Sequence, residues 1–207
     1  MHKLLTMKDE GAWTVIHGFY YRCTHDYLAK YEAAIEKMKP LQEQARAEMN
    51  GMEEDVIRSY VLYETKTVRE EAERAASATC LYACMTIEAF VNYYGVRRVG
   101  EAFYKQNLER LRPEQKFAVL VAICWQDLLL HDDDVLKGIK GLFEHRNSLI
   151  HAKTNEVNQQ NAERFVAREV EDIDLKSKVN IMERFIDKLC EFDNDINKDA
   201  EFRKSET

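Results

Sequence analysis

Apolar residues recur at three- and four-residue steps along almost the whole chain, which is the period of an amphipathic α-helix. Trp13, Ile16, Tyr20, Cys23, Tyr27, Tyr31, Ile35 and Met38 form one such stripe. They predict a long helix that ends before Pro40, because a proline pushes its predecessor out of the α region. Tyr20, Tyr27 and Tyr31 read as core rather than as a binding face. Leu41, Ala45, Met49, Met52, Val56, Tyr60 and Tyr63 mark a second amphipathic run. Neither Gly nor Pro occurs between Gly51 and Gly95, so one very long helix, or two with a soft junction, fits there. Its segment 69–74, REEAER, is a solvated face with internal charge pairing. Residues 77–95 are more apolar and predict a helix stopped by Gly95. A connector beginning at Arg97, Arg98 and Gly100 carries a short helix. Pro113, followed by Glu114, suits a helix start, and 117–130 predicts a helix buried on most sides. Asp132, Asp133 and Asp134 are read as caps of the next helix, about 135–151, and not as a metal site with His131. The Asn/Gln-rich stretch 152–164 reads as a loop. A last helix, about 168–200, carries Met182, Phe185, Ile186, Leu189, Phe192 and Ile196 on one face.

Composition narrows the class. Only 7 Gly and 2 Pro occur in 207 residues, too few turn-formers for an all-β fold, so the pattern predicts an all-α protein. The 30 basic against 37 acidic residues give a net charge of −7, which excludes an all-round basic surface built to coat nucleic acid but not a small basic pocket. No apolar run approaches the roughly 20 residues that span a bilayer, and the N-terminus lacks the core of a signal peptide. Five scattered cysteines, Cys23, Cys80, Cys84, Cys124 and Cys190, suit free thiols in a reducing cytoplasm. Cys80 and Cys84 lack the close Cys or His companions that zinc needs. No cofactor, metal or membrane partner is expected.

The informative residues are polar ones on apolar stripes. In 135–151 the stripe runs through Ile139, Leu142, Arg146 and Leu149, so Arg146 falls at an inward position. A guanidinium there must meet a carboxylate, a phosphate or a solvent-filled groove. Phe143, Asn147 and His151 share the adjoining stripe. Arg146 and His151 lie roughly 140° apart around a helix axis, so one ideal helix does not aim both at one atom. In 77–95, Leu81, Cys84, Glu88 and Val91 share a stripe with Asn92 beside Glu88. Glu88 is the natural partner of Arg146. On spacing alone, a buried Glu88–Arg146 ion pair and a helix-ending His151 explain these residues without any chemistry.

Residues 143–151 read FEHRNSLIH. Arg146, Asn147 and His151 resemble the Arg-x4-6-His signature of HEPN domains (higher eukaryotes and prokaryotes nucleotide-binding). Residues 87–92, IEAFVN, resemble the acidic–aromatic–Asn helix of many bacterial members. The likeness covers roughly 77–198. It implies a HEPN-like helical bundle, 76–200; residues 1–75 lie outside the likeness and are expected, from their periodicity, to form a long N-terminal helical hairpin packed on that core, and 201–207 a disordered tail. It also implies a homodimer with the motifs facing each other across the interface, which removes the angular conflict between Arg146 and His151.

Many members of that family are metal-independent endoribonucleases of toxin–antitoxin, abortive-infection or antiviral systems. The resemblance therefore implies catalytic roles for Arg146, Asn147 and His151, with Glu88 in support. His151 is the side chain of these whose ordinary pKa lies near neutrality, and it suits general acid–base work. Arg146 suits a phosphate, Asn147 suits orienting His151 or a phosphate oxygen, and Glu88 suits fixing Arg146. Arg97, Arg98, Lys137, Lys140 and Lys153 are the candidates for contact with RNA. An antitoxin or defence partner is a further expectation. Two alternatives stand beside this one. One is a non-catalytic scaffold or immunity partner that binds protein through its N-terminal helices. The other is a nucleotide-binding partner of a nucleotidyltransferase.

Overall fold

The structure, a computed structural model, describes residues 4–8, 11–129, 133–150, 173–193 and 196, with only the backbone of 4–8, 11–14 and 150. Two short strands open it, β1 (Leu4–Lys8) and β2 (Gly11–Val15). Among the described residues six helices follow: α1 (His17–Glu48), α2 (Glu54–Val99), α3 (Glu101–Asn107), α4 (Pro113–Trp125), α5 (Asp134–Ile150) and α6 (Leu175–Phe192). Among the described residues the chain is thus helical apart from one hairpin and the turns, in line with the expected all-α class. No described helix is long and apolar enough to cross a membrane.

Five local expectations need correction, two of them helix bounds: α4 stops at Trp125, before the left-handed Gln126, and not at 130, and the last helix spans Leu175–Phe192 and not about 168–200. Trp13 lies on β2 and not on the first helix. The strands pair antiparallel, with Leu4 opposite Val15 and Lys8 opposite Gly11. The run Thr14-Val15-Ile16 is β-branched, which favours the extended chain over the helical stripe that Trp13 continues. Pro40 lies inside α1 rather than beyond its end. An interior proline costs about 3 kcal/mol. Met38 and Ala45 are buried on either side of it, and that packing carries the helix across. Gly95 likewise lies inside α2, which continues to Val99 and stops at Gly100, whose φ of 82° is left-handed.

The chain forms two compact units. The first gathers Met1–Thr24, Cys80–Ala152 and Lys176–Thr207. The second gathers His25–Thr79 and Lys153–Leu175. The division within α2 falls between Thr79 and Cys80.

In the second unit the end of α1 and the start of α2 form a helical hairpin. The turn between them passes through Gly51, whose φ is 89°. The Tyr60 hydroxyl donates to Glu48 Oε2 at 2.8 Å, which clamps the two helices near the turn. Tyr31, Ala34 and Met38 are buried on α1, and Val61, Thr65, Ala72 and Ala75 on α2. Thr65 and Thr79 are buried inside a helix yet satisfied, because each hydroxyl donates to the carbonyl four residues back.

The first unit holds the larger core. Ile87, Phe90, Val91 and Tyr94 of α2, Phe117, Leu120 and Val121 of α4, Ile139 and Leu142 of α5, and Met182, Phe185, Ile186 and Leu189 of α6 are all essentially inaccessible. The Phe185 ring meets Phe117 and Phe90 edge-on, with centroids 5.1 and 6.3 Å away. Helix α4 lies against α5. Gly138 admits Ile181, whose side-chain atoms lie 3.1 Å from where a β-carbon would sit, so α5 and α6 approach closely there. Asp133 caps α5 as the sequence suggests: its Oδ1 accepts the backbone N–H groups of Val135 and Leu136. Its other oxygen pairs with Lys188 on α6. Burial works against the Asp133 charge, but Lys188 and the two N–H groups outweigh it and hold the carboxyl below its usual range.

Candidate functional site

Helices α2 and α5 of the first unit bring two of the singled-out groups together. Arg146 Nη1 lies 3.5 Å from Glu88 Oε2, the partner expected from the stripes. Two further contacts restrain the guanidinium. Its Nε and Nη2 donate to Asn147 Oδ1 at 3.3 and 3.0 Å, and its plane lies over the Phe143 ring at 4.7 Å. The pair is not sealed: a quarter of the Arg146 side chain and 43% of the Glu88 side chain remain accessible. Asn147 is exposed. Arg146 thus combines a fixed position with an open face, which is what an anion-binding guanidinium requires.

The floor under Arg146 is apolar. Cys84, one turn before Glu88, donates its thiol to the Leu142 carbonyl at 3.7 Å. Burial pushes the Cys84 thiol up to about 12, against the opposing pull of Arg146, so it is a packing group and not a nucleophile.

On the next turn of α2, Asn92 organises a polar cluster. Its Oδ1 accepts from the Tyr104 hydroxyl at 2.5 Å and from Lys116 Nζ at 2.9 Å. Lys116 is buried, and burial lowers its pKa while Glu88 and Glu109 act in the opposite sense. Burial, with Glu109 and Glu88 adding to it, raises the Tyr104 phenol. Tyr104 reaches Asn92 because Gly95 has no β-carbon: a carbon there would meet Tyr104 Cε2 at 2.5 Å. The sequence reading passed over Tyr104 and Lys116. A signal for Lys116 was present, since Pro113, Lys116, Phe117, Leu120 and Val121 share one stripe of α4.

Glu88 and Asn92 also line a groove of about 680 Å3. Tyr20 of α1, Met85 and Tyr93 of α2, and Tyr104 of α3 form its apolar and aromatic walls. Nearby, His17 is buried against the Phe90 and Tyr93 rings, and burial lowers its pKa to about 4, so the imidazole is neutral.

The remaining candidates are spread out. Arg97 and Arg98 lie about 13 and 15 Å beyond Glu88 along α2, at 1.5 Å per residue. Arg98 is paired with Asp193 at the end of α6, and Arg97 donates to the Tyr93 hydroxyl. Lys137 and Lys140 are exposed on α5, about 13 and 9 Å before Arg146 along its axis. His151 and Lys153 lie outside the described residues, as do His131 and Asp132. Comparison of the chain with family models, curated proteins and solved structures finds no match, so the reading of this site rests on its own chemistry.

Proposed function

We propose that the chain is a metal-independent endoribonuclease of the HEPN type, working in the cytoplasm as a homodimeric toxin or antiviral effector. The observation that carries this reading is Arg146, an arginine held by Glu88, Asn147 and Phe143 yet open to solvent on one face. In the proposed reaction Arg146 holds the scissile phosphate through its donor fork. His151 takes the proton of the 2′-hydroxyl as that oxygen attacks phosphorus, and the bond to the 5′-oxygen breaks. The leaving 5′-oxygen takes a proton from solvent water, and His151 returns the proton it took to solvent. The products are a 2′,3′-cyclic phosphate and a 5′-hydroxyl. Arg146 meets the charge that grows on the phosphoryl oxygens, and general acid–base work contributes roughly 10²–10⁴-fold. Asn147 orients the reacting groups, and the exposed Lys137 and Lys140, with Lys153, supply the local positive charge that an acidic protein needs to attract RNA.

The test is incubation of the wild type, His151→Ala and Arg146→Ala with total RNA in excess EDTA. The wild type is expected to generate fragments ending in cyclic phosphate. Each variant is expected to lose at least 10²-fold in rate with an unchanged circular dichroism spectrum. Wild-type protein that leaves RNA intact, or a His151→Ala variant that cuts at full rate, overturns the reading.

A further inference from the structure

We propose that the groove beside Glu88 is a nucleobase subsite that takes a purine of the RNA next to the phosphate held by Arg146; this rests on the ribonuclease reading above. Three features of the groove lead there. It holds about 680 Å3, within the roughly 300–1,000 Å3 of small-molecule pockets. Its walls carry the half-buried Tyr20 and Met85, while Tyr93 and Tyr104 are 8% and 3% exposed, so Tyr20 is the ring whose face accepts the plane of a base. Its polar edge is chemically asymmetric. Glu88 offers carboxylate oxygens as acceptors. Asn92 has its Oδ1 already engaged by Tyr104 and Lys116, which leaves its amide N–H groups to donate. One acceptor and one donor, four residues apart on α2, match a base edge that carries an exocyclic amine or ring N–H beside a ring acceptor or carbonyl.

The groove and the proposed phosphate site share one residue, because Glu88 both lines the groove and lies 3.5 Å from Arg146. In this proposal a nucleotide with its phosphate on Arg146 lays its base past Glu88, against Tyr20 and Met85. The lysine among its lining residues, Lys105, is paired with Glu101 at 2.6 Å, so the groove offers a phosphate no unpaired lysine and suits the neutral base instead. A purine covers more of the Tyr20 ring and the Met85 thioether than a pyrimidine does, which favours purines. Lys116 is a positioning residue here, fixing which side of the Asn92 amide is left to donate.

Two variants of the full chain test it: Asn92→Asp, which replaces the donor with an acceptor at constant shape, and Met85→Trp, which fills the groove. Binding of adenosine, guanosine, cytidine and uridine is measured by calorimetry, and the bases flanking each cut in total RNA are read by sequencing. Adenosine or guanosine is expected to bind the wild type, and each variant to weaken that binding at least about tenfold. Asn92→Asp is also expected to change the base preference at the cut. Purine binding lost in both variants supports the subsite even if the protein cuts no RNA. Failure of every nucleoside to bind, equal binding of pyrimidines, or purine binding unchanged in both variants overturns the subsite, even where cleavage by the wild type stands.

Discussion

Arg146 owes its position to one carboxylate, one amide and one ring, and these do not contribute alike. The Glu88–Arg146 pair is partly hydrated, so its contribution to folding is about 1 kcal/mol or less. Its contribution to geometry is larger, because without Glu88 the guanidinium loses its fixed partner across α2. Glu88→Gln is therefore expected to shift the urea midpoint little while lowering RNA cleavage about tenfold, a loss of roughly 1.4 kcal/mol in transition-state binding. Equal loss of stability and activity would make Glu88 a structural group only. His17 gives a pH signature of a different kind. Burial lowers its pKa from 6.5 to about 4, so between those values the unfolded chain binds the proton and the folded chain does not. Stability is therefore complete above about 6.5 and falls as the pH drops toward about 4, by about 3 kcal/mol in all. Urea denaturation across that window checks the slope, and His17→Phe is expected to flatten it. Glu88 and Arg146 were legible in the sequence because each is a charge on an otherwise apolar stripe. His17 was not, because its burial comes from the rings of Phe90 and Tyr93, more than seventy positions away.

At the level of elements, most helices follow from periodicity, and their ends are where the reading slips. Gly95 and Pro40 have the local chemistry of stops, yet both lie inside helices, because packing outweighs propensity at each. Pro113 and Asp133 act as read, since each needs only its own helix to be effective. The β-hairpin was missed because Trp13 continues the three-and-four spacing of α1 by coincidence. Gly95 offers a direct test of the packing argument. Alanine is the better helix former by about 1 kcal/mol, so propensity alone says that Gly95→Ala stabilises. The Tyr104 ring already fills that space, and overpacking costs about 1–3 kcal/mol. The variant is thus expected to melt at a lower temperature than the wild type. Displacement of Tyr104 also releases one of the two hydrogen bonds on Asn92 Oδ1, so a shift in the tyrosine near-ultraviolet signal should accompany it. A higher melting temperature would show that Tyr104 moves aside at no cost.

For the whole molecule, the proposed chemistry turns on whether one chain can complete a site. Arg146 and His151 are five positions apart, roughly 140° around a helix axis, while cleavage requires both at one phosphodiester. Two chains related by a two-fold axis meet that requirement if Arg146 of one subunit works with His151 of the other. The two arrangements differ in a mixing experiment. Arg146→Ala and His151→Ala are each expected to be inactive alone. When they are unfolded together and refolded, about half of the dimers carry one chain of each kind. A shared site then regains one intact Arg146–His151 combination per mixed dimer, and the mixture is expected to recover roughly a quarter of wild-type cleavage. A site confined to one chain recovers none. The acidic balance of the chain gives the shared arrangement a physical advantage: pairing two motifs doubles the positive charge facing one RNA strand without making the remaining surface basic. Cleavage by the refolded mixture should accordingly fall steeply with salt, as it does where a few local cations carry the attraction.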